Sequence, residues 1–219
     1  MTTLDSSPFK ELLVQLFADA AVSDAQMKKD MANTPREDIA RRAASNDYRA
    51  FYMRAKDYHL AVSPETGRLL YMLARSIGAR SIVEFGTSFG ISTLHLAAAL
   101  KDNGGGRLVG SEFEPSKVAR ARGSLRAAGL SDLVEIREGD ALASLAGDLP
   151  ESIDFVLLDG AKPLYLKILE LLESRLKPGA LLVADNADWC PEYLARVRGG
   201  DSGFLSIPFA DDVELSMKM

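Results

Sequence analysis

The chain has 219 residues, 47% hydrophobic and 26% charged, with a formal net charge of −5, which suits one α/β domain with a small extension and leaves no basic excess for a long polyanion. Cys190 is its single cysteine, so an intrachain disulfide is excluded and a reducing, cytoplasmic setting is expected. No apolar stretch approaches the ~20 residues needed to cross a bilayer, and the opening residues lack the basic and apolar regions of a secretory signal.

In chain order, the first 62 residues read as helical. Ser7 and Pro8 make a helix start, and Phe9, Leu12, Leu13, Leu16 and Phe17 recur at three- and four-residue spacing. A second helical stretch is expected from Pro35 towards Tyr58, with Arg41, Arg42, Arg49, Arg54 and Lys56 forming a solvated basic face. Residues 63–78 repeat the Ser-Pro start and close on Gly78, a helix with a C-terminal glycine cap. From Arg80 the pattern alternates. Apolar strands are expected at 81–85, 107–112, 133–138, 153–159 and 180–185, separated by helices at 91–102, 115–129, 141–147 and 163–177. Continuous apolar strands alternating with helices mean a parallel sheet covered on both faces. Residues 203–209 and 212–219 are strand-like runs joined by a short turn, so they should pair antiparallel. The sum is one Rossmann-like α/β sheet with a terminal hairpin.

The first strand runs through "VEFGTSFGIST" into a helix. Ligands of open α/β sheets bind at the carboxyl ends of the strands, and Gly86 and Gly90 would let the backbone approach one closely. Glu112 ends the second strand, where an acid can accept hydrogen bonds from a ribose. The spacing is G-x-x-x-G rather than the G-x-G-x-x-G of a dinucleotide site, and Glu84 precedes it, which suits a cationic ligand better than a pyrophosphate. S-adenosylmethionine (SAM) carries a sulfonium, an ammonium and no phosphate. SAM is therefore favoured over NAD, and an NAD-dependent oxidoreductase becomes the disfavoured alternative.

Two later runs, "IDFVLLDGAKPLY" and "GALLVADNADWCP", each end in oxygen-bearing side chains. With "VEFGTSFGIS", "SEFEP" and the closing "VELSMK", they make the chain from about Ala61 onward resemble the cation-dependent O-methyltransferases of the catechol and caffeoyl-CoA type. The resemblance implies a class I methyltransferase fold, a mostly parallel seven-stranded sheet with a C-terminal antiparallel hairpin and N-terminal helices. It divides the chain into a helical extension (1–62) for substrate or dimer contacts and a SAM-dependent domain (63–219), and it implies a homodimer. Val62, Ser63, Gly86, Thr87 and Ser92 would lie along the methionine portion of SAM, with Glu84 at its ammonium. Glu112 would hold the ribose, and Asp140 and Ala141 the adenine side. Asp159, Asp185 and Asn186 match the metal ligands, Asp159 also lying at the SAM site, and Lys162 matches the catalytic base. Glu214 sits where the catechol enzymes place an acid near the acceptor hydroxyls, and Trp189 reads either as a wall of the acceptor pocket or as an ordinary packing residue. The chain departs from many bacterial relatives at Gly160 and Ala161, where a second acid is missing, and the segment before Val62 matches no motif.

The chemistry is coherent. Hard oxygen ligands suit Mg²⁺, which keeps coordination positions open for two adjacent hydroxyl oxygens. A divalent cation disfavours the protonated form of a neighbouring lysine, which fits Lys162 as base. The expected activity is methylation of a hydroxyl on a small catechol-like or vicinal-hydroxyl compound. A tRNA wobble-uridine methyltransferase is the alternative within the same fold; the acidic net charge argues against it, and the N-terminal arginines keep it open. His59 and His95 read as packing residues, and Cys190 has no histidine near it in sequence to activate it.

Overall fold

The computed structural model describes residues 2–43, 45, 48–209 and 212–219. Its strands are β1 (Ser81–Phe85), β2 (Arg107–Glu112), β3 (Val134–Glu138), β4 (Ile153–Leu158), β5 (Leu176–Ala184), β6 (Phe204–Phe209) and β7 (Val213–Lys218). They form one seven-stranded sheet in the order β3-β2-β1-β4-β5-β7-β6. β1 to β5 run parallel, and β7 enters antiparallel between β5 and β6. The order reverses between β1 and β4, so the carboxyl ends of these two strands frame the crevice where such sheets bind ligands.

The helices are α1 (Phe9–Asp30), α2 (Arg36–Ala43), α3 (Tyr48–Arg54), α4 (Pro64–Ser76), α5 (Ile91–Asp102), α6 (Pro115–Ala127), α7 (Ala141–Ser144), α8 (Tyr165–Leu172) and α9 (Pro191–Arg198). Alternation along each strand splits the core into two layers. Ile82, Leu108, Phe155, Leu157 and Val183 pack with Phe9 and Leu13 of α1, Leu70 of α4, Leu94 of α5 and Val118 of α6. Val83, Phe85, Val109, Val156, Leu158 and Leu182 face Leu145, Ile168 and Leu169, and Tyr193 and Val197 of α9. All six residues of β4 are buried, as a central parallel strand requires.

Local chemistry sets the boundaries. Ser63 caps α4, its Oγ accepting the Thr66 N–H at 3.0 Å with Pro64 in the first turn. Gly78, at φ +61°, turns the chain out of that helix. Three expectations change. The helix expected at 163–177 ends at Leu172, a 3-10 turn follows, and β5 starts at Leu176, which is buried and pairs with Ile153. The stretch from Pro35 towards Tyr58 divides into α2 and α3; Ala44, Asn46 and Asp47 lie outside the described residues. The first helix continues to Asp30, and its N-cap position is Pro8, with no side-chain cap bond. Among the described residues no helix is long and apolar enough to cross a membrane.

Candidate active site

The loop after β1 is built around a buried acid. Glu84 has no exposed surface, and it accepts hydrogen bonds from Thr87 Oγ1 (2.9 Å), Ser92 Oγ (2.7 Å) and Thr93 Oγ1 (2.6 Å). Burial pushes its carboxyl above the usual range, and the three hydroxyls pull it back. Gly110 on β2 makes room, since a Cβ there would stand 2.5 Å from Thr87 Oγ1. Glu84 lies beneath the loop, with its carboxylate turned to these three hydroxyls. Its role in the structure is to fix the loop hydroxyls. Gly86 takes φ +98°, and a Cβ on it would stand 2.4 Å from the Asp159 carbonyl oxygen. Both facts exclude any other residue at this position.

Above this loop lies a cleft lined by Gly86, Ser88, Glu112, Lys117, Asp140, Ala141 and Asp159. Past Gly86 and Ser88 it continues to Val62, Thr87 and Ser92. Glu112 accepts the Ser88 N–H at 2.7 Å and the Glu114 N–H at 2.9 Å, which holds its carboxylate at the rim of the loop. Asp140 caps α7 through the Leu142 N–H at 2.9 Å and pairs with Arg49 of α3. Ser63 caps its helix and is exposed. The expected cofactor residues other than Glu84 and Ser63 thus share one cleft.

Asp159 follows β4, and Asp185 and Asn186 follow β5; the pairing of Leu158 with Ala184 brings the two turns side by side. Lys162 is buried, and its Nζ donates to Tyr165 Oη (2.6 Å) and the Asp185 carbonyl (3.1 Å), with Asp159 Oδ1 at 3.7 Å. Tyr165 Oη donates to the same carbonyl at 2.8 Å. The Asp159 carboxyl is held well above its usual range by burial first and the Asp185 charge second, with Lys162 opposing them. Asp185 is also raised by burial, against Lys162. Asn186 adopts a left-handed φ of 49°, and its Nδ2 donates to Asp212 Oδ2 at 3.3 Å. Asp159 and Asp185 thus bring two carboxyls together near the Lys162 ammonium, with Asn186 next to Asp185 in the chain; carboxylate and amide oxygens are the donor types a hard divalent cation takes.

Two acceptor-side expectations fare differently. Glu214 is 1% exposed, with its carboxylate held by Arg198 (2.8 and 2.6 Å) and Ser206 Oγ (2.6 Å). β7 places it beside α9, where it forms an ion pair with Arg198. Trp189 is half-buried in the 3-10 turn after Asn186, and it is not part of the cleft wall.

Other cleft residues were missed. Tyr48, Arg49 and Tyr52 of α3 line the cleft, and Tyr52 Oη donates to the Gly160 carbonyl at 3.4 Å. Burial and the Asp159 charge raise the Tyr52 phenol. The closely spaced tyrosines at 48 and 52 were the available signal: one turn apart on a short helix, they share a face. Phe113 and Lys117, just beyond Glu112, complete the wall.

A family model described as a methyltransferase domain matches residues 83–187. A catechol O-methyltransferase of Niastella koreensis is 37% identical over 153 residues, 68% of this chain and 66% of that protein. A caffeoyl-CoA O-methyltransferase of Eucalyptus globulus is 30% identical over 134 residues, 59% of this chain and 54% of that protein. The chain thus spans between half and two thirds of the length of these curated relatives. The crystal structure of the O-methyltransferase TomG from Streptomyces achromogenes, in complex with SAM, superposes with a TM-score of 0.66 at 27% identity, covering 89% of this chain and 96% of that one.

Proposed function

Because the chain belongs to the O-methyltransferase family of the catechol and caffeoyl-CoA enzymes, we propose that it moves the SAM methyl group to a hydroxyl of a small vicinal-hydroxyl acceptor, with a divalent cation. The observation that supports this reading is that Lys162 sits between the Asp159 carboxylate, which lines the cleft, and the Asp185 backbone carbonyl.

In this reading Glu112 takes the ribose, Asp140 and Ala141 flank the adenine, and Val62, Thr87 and Ser92 receive the methionine end. Asp159, Asp185 and Asn186 would hold a cation such as Mg²⁺, which when bound supplies Lewis-acid stabilisation of a phenolate. Lys162 is fixed by Tyr165 and the Asp185 carbonyl, so its Nζ is pre-positioned, as the neutral amine that a bound cation would favour, to take the acceptor hydroxyl proton. The acceptor oxygen then forms its bond to the methyl carbon as the carbon–sulfur bond breaks. S-adenosylhomocysteine leaves, and the proton passes from Lys162 to solvent. The sulfonium is already activated, so no protein nucleophile is needed, in keeping with the buried Cys190, whose thiol burial pushes up to about 12. Residues 1–62 supply α3, which covers the cleft, and a homodimer with cytoplasmic residence completes the proposal.

The test is transfer of labelled methyl from SAM to a panel of catechols, hydroxycinnamoyl thioesters and bulk tRNA, with and without excess chelator. Chelator-sensitive labelling of a catechol-type compound is the expected result. Undiminished turnover after verified metal removal would sink the cation, and labelling confined to tRNA would sink the small-molecule acceptor.

A further inference from the structure

Lys117, in the first turn of α6, is 4% exposed. Among the described residues its ammonium has one hydrogen-bond acceptor, Ser88 Oγ at 3.2 Å, and no carboxylate within 4.0 Å. The Phe89 ring centroid lies 5.3 Å away. Burial pulls the ammonium below the ordinary lysine range, while the charges of Glu112, Glu114, Asp159 and Asp57 act against that pull from a distance. A buried cation with unfilled donors is costly and persists where something else requires it. Lys117 forms part of the cleft wall beside Glu112, and the acid and the base meet at Ser88: its N–H donates to Glu112 and its hydroxyl accepts from Lys117.

A ribose diol has hydroxyls that each donate one hydrogen bond and accept others. Glu112 can only accept, so alone it leaves the lone pairs of the ribose oxygens unmatched in a partly buried cleft. Lys117 offers the missing donors at the same place. We propose that Lys117 is a positioning residue for the cofactor ribose, donating to its 3′-hydroxyl, whose own proton goes to Glu112. The Lys117–Glu112 couple then recognises a vicinal diol through both of its hydrogen-bonding functions. This rests on the SAM reading above.

The experiment is calorimetric titration of wild type and Lys117→Met with S-adenosylhomocysteine and with its 3′-deoxy analogue, beside the thermal midpoint of each ligand-free protein. The expected result is that Lys117→Met weakens S-adenosylhomocysteine binding roughly ten- to hundredfold. The same change should leave binding of the 3′-deoxy analogue within about threefold of wild type. The midpoint of the ligand-free variant should hold or rise, because an unpaired buried charge has been removed. Unchanged affinity for S-adenosylhomocysteine, or an equal loss for both ligands, overturns the ribose assignment. Should Lys117→Met fail to fold, Lys117→Gln repeats the comparison; failure of both shows a structural lysine and overturns the proposal. Wild type that does not bind S-adenosylhomocysteine at all overturns the cofactor reading itself, which separates the two failures.

Discussion

Asp154 and Asp159 belong to the same stretch of chain, one near the start of β4 and the other just past its end. Asp154 Oδ2 accepts the N–H groups of Arg80 (2.6 Å) and Ser81 (2.9 Å), and Lys177 pairs with its other oxygen. Burial would raise its carboxyl, but Lys177 and the two backbone donors prevail and hold it below the usual range. Asp159 is raised instead, by burial and by Asp185, with Lys162 as its only ion-pair partner among the described residues. One acid has all its partners within the fold. The other is kept short of positive charge where a ligand can supply it. Charge satisfaction thus separates an acid that holds the sheet together from one that, in the function proposed, would take a cation.

The contrast can be broken by substitution, and the largest effect is expected beside Asp159. Lys162→Ala should lower turnover by ~10²–10⁴ while S-adenosylhomocysteine affinity stays near wild type. A rate deficit of about tenfold or less would remove Lys162 from proton transfer. Asp159→Asn sharpens the comparison through two opposed readouts. Turnover should collapse, whereas the thermal midpoint of the metal-free protein should rise, because a carboxylate repelled by Asp185 is replaced by a neutral group. A fall in that midpoint would show Asp159 to be a satisfied structural acid like Asp154.

Asp154→Ala should leave ligand affinity unchanged and destabilise the fold by roughly 1–3 kcal/mol, because two backbone donors lose their acceptor. For a chain of this size that corresponds to about 2–4 °C in Tm per kcal/mol. The sign of its pH dependence follows from linkage. A carboxyl held below its ordinary value stabilises the fold at pH above the unfolded value of 3.8, and that stabilisation is lost as pH falls through the folded value. The gap between wild type and Asp154→Ala in thermal melts should therefore be full at neutral pH and shrink under strongly acidic conditions. A gap that is the same at both would assign the loss to packing.

Much of this was legible in the sequence where one physical cue dominates. The parallel strands are near-continuous apolar runs, and their polar ends announced Asp159, Asp185 and Glu112. Gly86 was legible because a turn there must approach a neighbour closely. The helix at 163–177 was drawn too long because Leu176 fits helical periodicity as well as strand pairing, and only the bond to β4 decides between them. The partners of Glu84 and Glu214, the α5 hydroxyls and Arg198, were not legible because they come from other elements. Lys117 and Tyr52 were unreadable because burial of a lysine and the lie of a short helix over the cleft exist only after folding.

Gly86 and Gly160 act together in a way that bears on the reaction coordinate. Gly86 abuts the Asp159 carbonyl, a Cβ on Gly160 would fall 2.5 Å from the Phe85 ring, and the Asp159 N–H donates to the Phe85 carbonyl at 2.8 Å. The loop proposed to seat the methyl donor and the turn proposed to seat the acceptor are therefore keyed into each other through backbone, like two halves of a jig. Because reaction rates depend steeply on the approach distance of the reacting atoms, the function proposed would have the gap to be crossed set by backbone rather than by adaptable side chains.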